Sequence, residues 1–564
     1  MGNYKNLLRL SVSAALLLAS AAMADPAPPA PESAPAQTAT PPVDAALAAT
    51  SPGPSTETST GAPPAASPQV QDDPVLMEVR AKLSSEPAAT DEHDLNDQKA
   101  LVEFYTARHG DGLWVTASGL KPEAKALAAE IANAGNYALD VSRFKVPALV
   151  GGALTVNDTD SLASAEIDYS KAALLYARDA RGGRIPDPAE QLTTNLDRRP
   201  QWIDPKIVIA ALAASHEPDA YLRGLHPQQA QFEKLRQVYL TMLPKDGKGQ
   251  LSAAAKRVRA NMEEWRWMWP DMGNFYVLNN VPEFMQYVYK DGKIVRSEKI
   301  VAGLVDKQTT IFSRPLKYVV LRPAWRVPES IMVNELWPNL ISGGGMMTKY
   351  GLQIQTKDGR NVDYRQIDWA STDIRKFDVM QPPGSKSVLG HVKFSFPSQH
   401  TIFMHDTPDK WMFKPVRRAL SHGCIRVWKP MQLAEMVLNE DKGWDAAKVQ
   451  ELDRTGPLNN EVPITKEIPI HIVYFTAWVT DDGKLKTFPD VYGHEKRITQ
   501  ALDGQWNKIN KGRDHLAPVE PDFNPGALAA RARTRDLDSE DDQYPSQKNA
   551  TIGNIIGNAL GLEY

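Results

Sequence analysis

The spacing of hydrophobic positions changes character once along this chain, near residue 271. Before it, from about 75, apolar residues recur at helical intervals. Leu101, Val102, Phe104 and Tyr105 make one stripe, Ala124, Leu127, Ala128, Ile131 and Ala132 a second, and Ala172, Ala173, Leu174 and Leu175 a third. This pattern predicts a helical scaffold over 75–270. After it, aromatic and β-branched runs predict strands, at Phe275-Tyr276-Val277-Leu278, at Phe284-Met285-Gln286-Tyr287-Val288-Tyr289 and over 468–475. Asp291-Gly292 favours a type I′ hairpin turn, and Asp358-Gly359 and Asp482-Gly483 repeat the signal. Pro430 suits the first turn of a helix that places Leu433, Ala434, Val437 and Leu438 on one face. The fold class predicted is therefore α+β and multi-domain, a helical scaffold followed by a β-rich domain over 271–503.

Other stretches modify that outline. The run Trp265-Arg266-Trp267-Met268-Trp269-Pro270, at the junction, predicts packing in a core or domain interface. The Met- and Gly-rich residues 343–347 predict a mobile loop that, with Trp337 and Trp369, could cover a cleft. From 504 to 564 the chain is charged, with scattered Pro and Asn, and predicts a disordered tail.

The N-terminus reads as a secretory signal over 1–24, with Lys5 and Arg9 ahead of a short apolar run and Ala22-Met23-Ala24 as the cleavage site. The run is shorter than the roughly 20 residues of a membrane span, so no stable span is expected after cleavage and the protein is expected in the periplasm. Residues 25–74 are rich in Pro, Ala, Ser and Thr and predict a disordered linker. Loss of the leader takes the net charge from −4 to −6 by removing Lys5 and Arg9. Mild acidity gives no electrostatic reason to expect nucleic acid.

Against this background one residue stands out: Cys424 is the only cysteine among 564 residues. Exported proteins usually pair their cysteines, and this one cannot pair within the chain. It sits in Ser421-His422-Gly423-Cys424-Ile425-Arg426-Val427, downstream of Phe403-Met404-His405-Asp406-Thr407-Pro408. A thiol with a histidine able to take its proton is the minimum for nucleophilic acyl transfer. His405 is the candidate base. Asp406 or a backbone carbonyl could orient it. Gly423 lets the backbone approach a substrate, and the amides of Gly423 and Cys424 are natural oxyanion donors. His422 could be a second base, a substrate ligand or a structural hydrogen-bond partner. Arg426 could bind a substrate carboxylate or pair with Asp406 or another local acid. The histidine spacings match no zinc signature, so no metal and no cofactor are expected.

These two motifs closely resemble the active-site signature of the L,D-transpeptidases, cysteine enzymes of bacterial cell-wall assembly. The resemblance extends to Asn261-Met262-Glu263-Glu264-Trp265-Arg266-Trp267, Gln381-Pro382-Pro383-Gly384, Leu389-Gly390-His391-Val392-Lys393-Phe394 and Tyr492-Gly493, and so to the large, scaffold-bearing subgroup with a YkuD-type catalytic domain. It implies Cys424 as nucleophile, His405 as base, and His422, Gly423 and Cys424 as the oxyanion environment, with Ser421, Arg426 and Asp406 on the substrate side. The implied reaction is attack on the diaminopimelate carbonyl of a peptidoglycan tetrapeptide stem, loss of D-alanine, and transfer of the acyl group to an amine of a second stem. Transfer to a lysine of an envelope protein, or to water in a carboxypeptidase or amidase, uses the same residues. Carbapenems typically acylate that cysteine. Relatives carry a capping subdomain where residues 330–390 stand here, and often a peptidoglycan-binding module for which this chain has little room.

Overall fold

The computed structural model describes residues 72–150, 153–154, 158–244 and 249–540. The expected leader, nearly all of the Pro- and Ala-rich segment, and the chain beyond 540 lie outside the described residues.

Several helices begin where the sequence supplies a cap. The Asp73 carboxylate accepts from Val75 N at the start of Pro74–Ser85, Asp91 from His93 N and Asp94 N ahead of Glu92–Ala107, and Asp158 from Ser161 N ahead of Thr159–Gly182. Each satisfies amides that the first turn leaves unpaired. The central helix, Thr159–Gly182, buries Ala163, Ala172, Ala173, Ala177 and Ala180, small residues that let its neighbours approach closely. At Gly182 the approach is so close that a Cβ would lie 2.1 Å from the Trp202 indole nitrogen.

The same helix carries Glu166 into the scaffold interior, where its carboxylate accepts from Leu113 N, from Trp114 N and Val115 N (both 2.8 Å) and from Tyr105 Oη (2.6 Å). One acid thereby fixes the loop after Glu92–Ala107 against the central helix. Glu166→Gln keeps the volume but turns an NH2 group toward these donors. It is expected to lower unfolding free energy by about 3 kcal/mol in urea titration. A loss below 0.5 kcal/mol would mean that the network does not anchor the loop.

The β-rich domain is built on one sheet. Its strands are β1 (Phe275–Asn280), β2 (Met285–Lys290), β3 (Lys293–Gly303), β4 (Ser313–Pro315), β5 (Tyr318–Leu321), β6 (Val392–Ser395), β7 (Met404–His405), β8 (Ala419–Ser421), β9 (Ile425–Val427), β10 (Asn460–Pro463) and β11 (Pro469–Val473). They lie in the order β10-β5-β6-β7-β9-β3-β2-β1-β11-β4, with β8 beside β3. The β2–β3 turn has Asp291 and Gly292 both at positive φ (51° and 74°), as a type I′ hairpin requires. The helix Pro430–Lys442 buries Leu433, Ala434, Val437 and Leu438 in the core beneath the sheet. Scaffold and sheet share a hydrophobic interface in which Trp265 stacks on Phe475, centroids 4.5 Å apart and planes 11° from parallel.

Between β5 and β6 the chain inserts a small antiparallel sheet, Trp325–Arg326, Phe377–Gln381, Gln353–Thr356 and Asn361–Val362 in spatial order, with short helices. Within residues 343–347, expected as a mobile loop, Gly343 and Gly344 make a tight corner after Trp337–Ile341, and Gly345 to Met347 begin the helix Gly345–Tyr350. Gly344 N–H donates to Asn339 O (2.8 Å), and a Cβ on Gly344, at φ +72°, would lie 2.6 Å from the Tyr364 ring. Trp337 and Trp369 are buried in the hydrophobic core that the insertion shares with the main sheet, the Trp337 indole donating to Trp369 O (2.8 Å). They do not line a cleft.

A second correction concerns the tail, which does not become disordered at 504. Ile509, Val519 and Phe523 pack on the core of the β-rich domain, and Phe523 meets the Trp337 ring at 5.5 Å. His515 bonds Thr194 Oγ1 (3.0 Å) and His400 Nδ1 (2.8 Å), and a helix follows over Pro525–Glu540. The apolar anchors are spaced too widely, among too many charges, to form a periodic pattern.

Candidate active site

β7 and β9 are parallel neighbours, with Met404 opposite Ile425 and His405 opposite Arg426. Ile425 N–H donates to Phe403 O (3.0 Å). Side chains alternate along a strand, so Phe403 and His405 share one face with Cys424 and Arg426, while Met404 and Ile425 point to the other. On the far side of β7, β6 sets Lys393 opposite His405. The topology thus gathers Lys393, His405, Cys424 and Arg426 from three strands onto one face.

All four are nearly inaccessible; Cys424 is 1% exposed and His405 0%. Nδ1 of His405 donates to the backbone carbonyl of Asp406. Of the two orienting groups open from the sequence, it is therefore the main chain that holds the ring. That bond leaves Nε2 as the lone-pair nitrogen, and among the described residues it has no hydrogen-bond partner. Burial, reinforced by the Arg426 charge, holds His405 well below the usual histidine range. Burial likewise pushes the Cys424 thiol up to about 12, against the pull of the Phe403 backbone and the charges of Lys393 and Arg426. The thiol donates to Thr401 O at 3.5 Å. The resting pair is neutral thiol and neutral imidazole, so the proton has to move as the bond to carbon forms.

The turn carrying the thiol is held from inside. Ser421 Oγ donates to Cys424 O (2.6 Å) and accepts from Gly423 N (3.2 Å). Gly423 adopts φ +120°, and a Cβ there would lie 3.0 Å from Ile402 Cδ1 and 3.3 Å from Gln308 O. Its glycine is required by conformation and by space, while its amide, expected as an oxyanion donor, is engaged by Ser421 in this resting state. Thr309 Oγ1 donates to Gly423 O (2.5 Å) and accepts from Gly303 N (2.9 Å).

The remaining expected residues fall in less open places. Ser421 is fully buried, and its hydroxyl is engaged in holding the turn. The Asp406 carboxylate accepts from Thr407 N (2.7 Å), His391 N (3.0 Å) and Lys410 Nζ (2.5 Å), on the far side from the thiol. Arg426 does not pair with Asp406; its Nη1 reaches Thr407 Oγ1 (2.8 Å), Met412 Sδ and, at 3.5 Å, Asp409 Oδ2. It is wholly buried, which presses its pKa down to about 9. His422 bonds through Nε2 to Glu335 Oε1 (2.8 Å), favouring the structural hydrogen-bond role among those open to it.

Reading the sequence missed Lys393, Thr309, Thr401 and Glu335. Lys393 had a signal, since it interrupts the apolar Val392-Lys393-Phe394 run as a cation on an otherwise buried strand. Thr309, Thr401 and Glu335 reach the site from segments with no motif.

A buried Cys–His pair on adjacent strands, beside a tight glycine turn, defines a candidate cysteine acyl-transfer site. Comparison with known proteins identifies what the two parts resemble. Residues 274–451 match the L,D-transpeptidase catalytic domain family, YkuD, and residues 99–238 match a scaffold domain; the β-rich domain behind the helical scaffold resembles an L,D-transpeptidase catalytic domain. A Haemophilus influenzae protein named "Putative L,D-transpeptidase" is 31% identical over 243 residues, covering 43% of this chain and 48% of that protein. The chain therefore spans about half the length of that curated relative. Among solved structures, an L,D-transpeptidase from Mycobacterium smegmatis is 11% identical over 36% of this chain and 58% of its own, with a TM-score of 0.16. The catalytic domain of the E. faecium L,D-transpeptidase acylated by ertapenem is 13% identical over 36% of this chain and 99% of its own, with a TM-score of 0.14. Overlaps that slight carry no argument here. None of the described helices is long and apolar enough to cross a membrane.

Proposed function

We propose that this protein is an exported peptidoglycan L,D-transpeptidase with Cys424 as nucleophile and His405 as general base. The observation that carries the reading is the pairing of β7 with β9, which puts the His405 imidazole and the Cys424 thiol on one face with Nε2 unprotonated. Sγ attacks the diaminopimelate carbonyl of a donor tetrapeptide stem as its proton passes to Nε2. The Cys424 amide is the backbone donor best suited to the developing oxyanion. Collapse breaks the amide bond, and the imidazolium returns the proton to the departing D-alanine amine. The thioester is then cleaved by the side-chain amine of an acceptor diaminopimelate, which gives up its proton to His405 and leaves a new amide and a free thiol.

Near-complete burial of the thiol favours an amine acceptor over bulk water, because hydrolysis of a thioester is suppressed where water is excluded. It also requires a rearrangement around the thiol as substrate enters. Periplasmic location and transfer to lysines of envelope proteins belong to the same proposal.

The test is mass spectrometry of the protein from residue 25 onward with disaccharide-tetrapeptide. A transient thioester on Cys424 and a cross-linked dimer lacking one D-alanine are expected. Tripeptide with no dimer, across a range of acceptor concentrations, would replace transfer with hydrolysis.

A further inference from the structure

Glu335 comes to the catalytic turn from the inserted subdomain. The helix that starts at Glu329 widens into a π turn over Met332–Leu336 before Trp337–Ile341 resumes α geometry. Such turns are rare and are frequent at functional sites. Met332, Val333 and Leu336 are buried in the core there, while Glu335 reaches out of the subdomain to two other segments. Its carboxylate accepts from Lys307 Nζ, in the loop after β3, and from His422 Nε2 (2.8 Å). Burial alone would raise its pKa, but His422 and Lys307 outweigh that and hold it below the usual range.

The geometry gives this contact leverage on the thiol. His422 and Cys424 are separated only by Gly423, whose φ of +120° lies where glycine alone moves freely. Thr309 fixes the carbonyl of Gly423, and Glu335 fixes the side chain that precedes it. With the inserted subdomain displaced, one of these two restraints is lost.

We infer that Glu335 is a positioning residue: acting through His422, it fixes the Ser421–Cys424 turn and the aim of the thiol, so that acylation is fast only with the inserted subdomain seated. The inference rests on the acyl-transfer reading above, and makes the inserted subdomain a working part of the site.

The experiment follows acylation of the full chain by ertapenem, separating the saturating rate from the apparent Kd, for wild type, E335Q, H422N and the double variant. E335Q is expected to lower the saturating rate 10- to 100-fold, to leave the apparent Kd within threefold, and to move Tm by less than about 3 °C. The double variant should be no slower than H422N. E335Q acylating at the wild-type rate, or losses that multiply in the double variant, would overturn the inference. Should E335Q fold poorly, H422N decides alone, because unchanged saturating acylation in H422N leaves Glu335 nothing to act through. Wild type that is acylated but never cross-links stems would sink the transfer reading and spare this one. Wild type that cross-links, with E335Q matching it in acylation, would do the reverse.

Discussion

Cys424→Ala is expected to abolish acyl transfer while leaving the fold intact. Every step of the proposed reaction passes through Sγ, and the chain has no second thiol to substitute. Loss of an essential nucleophile costs on the order of a millionfold in turnover, which in a muropeptide assay is no product at all. Stability should change by less than about 1.5 kcal/mol, since a small buried side chain is exchanged for another and the turn is held by Ser421 Oγ and Thr309 Oγ1 rather than by sulfur. The measurement pairs cross-linked dimer by mass spectrometry with thermal unfolding of the same preparation. Retained cross-linking with normal Tm would remove Cys424 from the mechanism. Loss of both together would show that the thiol is chiefly a core residue, the commoner fate of a free buried cysteine.

What the sequence disclosed about this site follows a physical divide. Cys424 and His405 were legible because each sits in a short motif and because an unpaired thiol in a chain read as exported is chemically conspicuous. Strands β1, β2 and β11, farther across the same sheet, were legible from aromatic and β-branched runs, and Asp291-Gly292 from the turn chemistry it obeys. The orienter of His405 was not, because a backbone carbonyl has no residue identity; Asp406 contributes its main chain, while its side chain faces Lys410. Glu335 and Thr309 were hidden for another reason. Each acts from a segment distant along the chain, so the contact exists only once β3, the insertion and the catalytic turn have been folded together. The described part of the tail was misjudged because Val519 and Phe523 dock singly, with no repeat for a periodicity argument to catch.

His405→Ala should give the second large effect, and its pH dependence discriminates between roles. A general base is worth about 10²–10⁴-fold, and the upper part of that range is expected here because the thiol it serves is pushed up to about 12. At pH 7 such a thiol is ionised at only about one part in 10⁵, so without a base almost no nucleophile is available. The two enzymes should then follow different profiles. In wild type, His405 acts as a neutral acceptor, and its pKa is depressed by burial and by Arg426. It stays unprotonated as pH falls through 6.5, and acylation should show no drop there. In His405→Ala the rate should instead climb about tenfold per pH unit between 7 and 10, tracking the thiolate, and so recover part of the loss. The check is the saturating rate of Cys424 acylation from pH 5 to 10 in both proteins. A wild-type limb near 6.5 would mean that the working imidazole is solvated rather than buried. A His405→Ala profile that keeps the wild-type shape would mean that another group takes the proton, with His422 the nearest candidate along the chain.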